Sequence, residues 1–261
     1  MPRKLPQRVL NIVPSRDTLS DWRAQSAISS AALPMNRPIP TRSDLREAWW
    51  TIGDQADSGA GLGWAAADSV IRWHLVKAGR LSRTERLSAR HLWLAAKEID
   101  AQGARPSVFI ETEGCSIKAA LEVARKWGVV RDSVFPSDDA CFFRGDLEDF
   151  YAAAASLRIS SYFNLDCDTD MWRQWIALRG PILAAVWVDA AWDRAGSDRG
   201  RVGRAEPNQI LGGHAVAIVG YTEQEFLVRN TWGAQWGDDG YAHMPDEYVC
   251  TSIFDAYGVI A

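Results

Sequence analysis

Two stretches near the C-terminal end decide how this chain reads. They are Gly212-Gly213-His214-Ala215-Val216-Ala217-Ile218-Val219-Gly220-Tyr221 and Phe226-Leu227-Val228-Arg229-Asn230-Thr231-Trp232-Gly233. The first is an unbroken apolar run behind a glycine pair, the pattern of a strand covered on both faces. The second is a shorter strand-like run that ends at Asn230. Neighbouring antiparallel strands would bring Asn230 beside His214. An Asn carbonyl at one imidazole nitrogen fixes the tautomer and leaves the other nitrogen to exchange a proton. Trp232 is placed to keep water from that bond. A histidine that opens a strand at a glycine pair also sits where another backbone can approach closely. The remaining histidines, His74, His91 and His243, fall inside helical or strand patterns and read as structural.

Around these stretches the chain divides by character. Residues 1–44 carry Pro at 2, 6, 14, 34, 38 and 40 and read as an extended arm crossing a surface. Residues 45–150 are mainly helical. Trp64, Ala67, Ile71 and Leu75 share one helical face, which predicts a helix over 62–78 stopped by Gly79. Further helices are expected over 87–101 and from Ile117 to Trp127, the latter capped by Ser116 and ended by Gly128. Residues 151–261 turn strand-rich after a short helix, Thr169–Leu178, with Thr169 or Asp170 as its cap. Strands are expected at 181–188, 214–221, 226–230 and 241–244. A helical half followed by a β half predicts an α+β fold with a groove where the halves meet.

The glycine-rich segment Gly53-Asp54-Gln55-Ala56-Asp57-Ser58-Gly59-Ala60-Gly61-Leu62-Gly63-Trp64 opens directly into the first helix. Trp at 64 breaks a dinucleotide fingerprint, no Gly-Lys-Ser/Thr is present for a phosphate loop, and Ala56 breaks a serine-hydrolase elbow at Ser58. A helix start presents free N–H groups and a positive dipole end, and Gln55 adds a side-chain amide. Together they have the parts of an oxyanion hole; a tight turn with a solvent-facing Gln fits the same residues.

Composition excludes other classes. A net charge of −4 over 261 residues argues against a nucleic-acid binder. The longest apolar run, residues 181–188, is far short of the roughly 20 residues that span a bilayer, so no membrane partner is expected. No His/Cys cluster has zinc spacing, and Met171 and Ala177 break a calcium loop starting at Asp166, so no cofactor is expected. Cys115, Cys141, Cys167 and Cys250 lack a paired spacing, and the N-terminus lacks the apolar stretch of a secretory signal. Both point to a reducing, cytoplasmic setting. The Arg-rich residues 194–213 read either as a mobile flap favouring acidic substrate or as a solvated loop.

Gln55, the 58–65 segment, Glu-Gly-Cys-Ser at 113–116, the His214 block and Arg229–Tyr241 together resemble the papain-like cysteine peptidases, especially bacterial members. The resemblance covers residues 41 to the end. It implies a left helical domain, a right β-barrel-like domain and a peptide or protein substrate in the cleft between them. Carried over residue by residue, it makes Gln55 the oxyanion donor, His214 the base and acid, Asn230 the orienter and Trp232 the shield. Trp64, Trp232 and Gly213 become the candidates to line the substrate site.

The nucleophile position of that pattern falls on Gly61, which has neither sulfur nor hydroxyl. In the active family the helix start and the histidine lower a thiol pKa so that a thiolate attacks the amide. The chain as written is therefore expected to bind peptide and to cleave it negligibly. It is either a cysteine peptidase that has lost its nucleophile or a pseudopeptidase used as a binding module. Ser58 stands where secreted relatives carry the cysteine that pairs with Cys115, so that bridge is absent.

Overall fold

The apolar run behind Gly212 becomes an inner strand of an antiparallel sheet. The computed structural model describes residues 8–35, 37–100, 114–138 and 143–261; the start of the arm, Glu113 and Cys141 lie outside them. The strands are β1 (Ser43–Asp44), β2 (Ser161–Asn164), β3 (Ile182–Asp189), β4 (Ile210–Tyr221), β5 (Glu225–Arg229), β6 (Tyr241–Pro245) and β7 (Ile253–Ile260). Their order is β2-β7-β3-β4-β5-β6, with β1 paired to β4. The fold is α+β, as the sequence predicts.

Side-chain alternation explains why β3 and β4 are apolar without a break. Leu183, Ala185, Ala215, Ala217 and Val219 enter a core shared with the helices of the first half. Ile182, Ala184, Val186, Val216 and Ile218 enter a second core on the opposite face. Each buried Val or Ile contributes about 1.5–3 kcal/mol relative to exposure.

The helices are α1 (Ala24–Ser29), α2 (Gly61–Gly63), α3 (Arg72–Lys77), α4 (Ala89–Ile99), α5 (Ile117–Lys126), α6 (Leu147–Ala155), α7 (Thr169–Leu178), α8 (Ala190–Ser197) and α9 (Asp246–Ser252). A π-helical stretch, Trp64–Ile71, joins α2 to α3. Helical structure thus runs unbroken from Gly61 to Lys77, and Gly79 turns the chain at φ 70°. Small residues let this helix press into its surroundings: a Cβ on Gly63 would lie 1.9 Å from the carbonyl oxygen of Ala89 at the start of α4. Ser116 caps α5 by accepting from the Ala119 N–H at 3.3 Å, and Gly128 follows at φ 93°. The cap of α7 is Asp168, not Thr169 or Asp170. Residue 168 is still extended, so its carboxylate reaches the N–H groups of Asp170 and Met171 at 3.1 and 3.0 Å.

The arm is fastened along its length. Asp21 is ion-paired with Lys118 of α5 at 2.5 Å and accepts from Tyr257 of β7 at 2.7 Å. The Ser15 N–H donates to Asp255 of β7 at 2.8 Å. The arm thereby straps the helical layer to the sheet. Among the described residues no helix is long and apolar enough to cross a membrane.

Candidate active site

His214 and Asn230 point to the same face of the sheet, the face that carries Val216, Ile218 and Val228. The His214 Nε2 and the Asn230 Oδ1 are 2.9 Å apart. Asn230 Oδ1 also accepts the Thr231 N–H at 2.8 Å, which fixes the carboxamide orientation. The Nε2 therefore carries the proton of a neutral ring, and Nδ1 is the nitrogen left for proton exchange. The Trp232 ring lies over the imidazole, with centroids 4.9 Å apart and planes tilted by 31°. His214 is 1% exposed. Burial pushes its pKa down to about 4; the Asn230 bond opposes that shift and the charge of Arg8 reinforces it.

Asn230 is anchored by its neighbour. The buried Arg229 guanidinium donates to the backbone oxygens of Trp50 and Thr51 at 2.8 and 2.6 Å and to Ser69 Oγ at 3.0 Å. It faces the buried Asp68 carboxylate at 3.7 Å. The Gln55 segment leads on from these same residues, so one buried cation registers it against the end of β5.

Gly61 begins the buried helix, and no side chain caps that start. Gln55 is also buried, but its carboxamide does not point outward as an open donor. Its Oε1 accepts from the Thr231 hydroxyl at 2.7 Å, and its Nε2 donates to the Ser58 carbonyl at 3.2 Å. The Gln55 side chain fills the space that a side chain on Gly61 would enter.

The groove beside these residues holds the chain's own arm. Asn11 bridges to Gly213, and Ile12 bridges to Cys115. The Ile12 N–H donates to the Gly213 carbonyl at 3.0 Å, and the Val13 N–H to the Cys115 carbonyl at 3.4 Å. Glycine permits this approach on both walls: Cβ atoms on Gly114 and Gly213 would stand 1.6 Å from the Asn11 oxygen and 2.0 Å from the Ile12 oxygen. Arg8 closes the end of the segment, donating to Asp54, the Ala56 carbonyl and the Trp232 carbonyl. Of the expected lining residues, Gly213 and Trp232 meet this segment. Trp64 is not brought to the groove. It packs in the core with Arg86 over its ring at 5.3 Å, because its place one turn into the helix turns it inward.

The Cys115 thiol is no substitute nucleophile. Its carbonyl faces the groove, but the thiol is buried, and burial pushes its pKa up to about 12. The 194–213 segment is pinned: Val202 N–H donates to the His243 carbonyl at 3.0 Å, and Glu206 N–H to Asp189 at 2.6 Å. Three contributors were missed in the sequence. Thr231 sits inside the quoted motif, where a hydroxyl next to Asn230 was a usable signal. Arg8 and Trp192, the latter edge-on to His214 at 6.2 Å, carried none.

The model of the papain family cysteine proteases matches residues 39–256. Cathepsin J of Mus musculus is 24% identical over 259 residues, covering 93% of this chain and 69% of that protein. A cathepsin L-like proteinase of Fasciola hepatica is 22% identical over 240 residues, 87% of this chain and 67% of that one. The crystal structure of xylellain, a cysteine protease from Xylella fastidiosa, superposes with a TM-score of 0.80 at 21% identity, covering 100% of this chain and 99% of that one.

Proposed function

Because the chain belongs to the papain family of cysteine proteases, we propose that its groove binds an extended peptide or protein segment at a Cys/His/Asn-type site whose cysteine is replaced by Gly61. The observation that carries this reading is the buried His214–Asn230 pair at 2.9 Å, in a fold whose long helix begins at Gly61. The division into arm, helical domain and β-rich domain belongs to the same reading, with the site between the two domains. The free Cys115, Cys167 and Cys250 suit a reducing compartment such as the cytoplasm.

The chemistry needs one atom that Gly61 lacks. In a Gly61→Cys chain the thiolate would form the S–C bond to the scissile carbonyl. The residue 61 N–H and a reoriented Gln55 amide would stabilise the oxyanion. His214 would pass its proton from Nδ1 to the leaving amine as the C–N bond breaks, and water would then hydrolyse the thioester. Without the thiolate the Asn230 bond alone favours an imidazolium, and burial outweighs it.

The test is Gly61→Cys. Thiol-dependent cleavage of a peptide library, blocked by an epoxide thiol reagent, is the expected result. A folded Gly61→Cys chain that stays inert even with residues 1–13 deleted overturns the peptidase reading. The Gln55 side chain packed against Gly61 favours a second reading, a pseudopeptidase that only binds. Calorimetric binding of peptides by the Gly61 chain, with no turnover after Gly61→Cys, would select it.

A further inference from the structure

Three indoles surround the His214 imidazole or its neighbours, and one of them is held by a hydrogen bond. Trp192 of α8 is fully buried, edge-on to His214 at 88°, and near-parallel to Trp236 with centroids 5.7 Å apart. Its Nε1–H donates to the Tyr248 hydroxyl at 2.9 Å. The indole N–H groups of Trp232 and Trp236 are buried without partners. Rotation of the Trp192 ring is therefore restrained by Tyr248, whereas the other two are held by packing.

The direction of this chain is set by chemistry. An indole N–H only donates, so the phenol oxygen accepts from it. Burial first, and then the nearby Asp189 charge, keep the phenol protonated. Asp189 is itself buried and clamped, accepting the Ala191 N–H at 2.9 Å and the Glu206 N–H at 2.6 Å. Removing the phenol oxygen would take away the hydrogen bond that restrains the Trp192 ring and leave its N–H unpaired.

We propose that Tyr248 is a positioning residue that holds the His214 imidazole through Trp192. The proposal rests on the reading of His214 as the proton carrier. Asn230 holds the ring at Nε2, Trp232 covers its face, and Trp192 blocks its edge. Loss of the edge contact frees the ring to turn and admits water. Arg8 is the charged group that acts on His214, and it is untouched by the change.

The experiment uses the Gly61 chain as it stands, labelled with nitrogen-15, and follows the ring nitrogens of each histidine against pH. In Tyr248→Phe the His214 proton affinity should rise at least tenfold toward that of an exposed histidine, and its single tautomer should give way to a mixture. His74, buried beside Pro181, should titrate as before. Trp192→Phe, which has no N–H for Tyr248, should move His214 in the same direction and serves if Tyr248→Phe does not fold. A His214 titration and tautomer unchanged in folded Tyr248→Phe, or in Trp192→Phe if that variant alone folds, overturns the proposal. Activity of Gly61→Cys is a separate outcome. An inert Gly61→Cys chain with a Tyr248-sensitive His214 removes the peptidase reading only; an active one with an insensitive His214 removes this proposal only.

Discussion

The carboxamide oxygen of Gln55 lies 2.7 Å from the point where a Cβ on Gly61 would stand, and the next atoms out belong to the same side chain. The obstruction is the movable end of a glutamine. Two residues on, the obstruction to a Cβ on Gly63 is the Ala89 backbone at 1.9 Å. Gly61→Ala should therefore change stability by less than about 1 kcal/mol, since a helical Ala gains roughly what moving Gln55 costs. Gly63→Ala should cost about 3 kcal/mol through overpacking. Urea midpoints of the two variants check this, and equal losses would contradict it.

The arm segment from Leu10 to Val13 covers the groove through backbone bonds to Gly213 and Cys115. Deleting residues 1–13 from a Gly61→Cys chain should speed alkylation of the new thiol by a peptide-like reagent at least tenfold, because the reagent no longer competes with a tethered strand. Stopped-time mass spectrometry reads the rate. Equal rates with and without the segment would show that it does not limit access.

Asp68 is the counter-charge of a buried cluster. It binds Arg72 at 3.2 Å and Arg86 at 2.6 Å and faces Arg229 at 3.7 Å. Asp68→Asn leaves Arg72 and Arg229 in the interior without a carboxylate and should cost about 3–5 kcal/mol. The exposed Arg194–Glu206 pair is the contrast: Arg194→Ala should cost under about 1 kcal/mol. Denaturant titration of both variants tests the ranking.

Acid should destabilise the fold through His74, His91 and His214. Burial lowers all three to about 4, against about 6.5 when unfolded. Between these values the unfolded chain binds protons that the folded chain refuses, so stability is full above pH 6.5 and falls as pH drops toward 4. The slope is at most roughly 1.4 kcal/mol per pH unit for each histidine. Urea midpoints at pH 7, 5.5 and 4.5 should fall in that order. His74→Phe should flatten the decline, and an unchanged slope would exclude His74 as a source.

Much of the site was readable because local patterns encode it. The glycine pair and apolar run announced β4, and the pairing of neighbouring antiparallel strands brought Asn230 beside His214. The helical face from Trp64 to Leu75, with Gly79 beyond it, announced the long helix. Trp64 came to the groove only through the resemblance; its own helical face, shared with Ala67, Ile71 and Leu75, is the one that packs in the core. The strands β2 and β7 were missed because Ser161–Asn164 is short and half-buried, and Ile253–Ile260 follows a helix without a turn signal.

Residue types and spacing along the chain were enough to establish an α+β protein with an imidazole, its amide partner and a helix start that lacks a thiol. Three-dimensional packing alone turned the Gln55 carboxamide into the space beside Gly61, laid Ile12 between Gly213 and Cys115, and set Trp192 against His214. Those contacts join residues far apart in the chain. They arise from how two cores and an arm fit together, and no periodicity or local propensity records that fit.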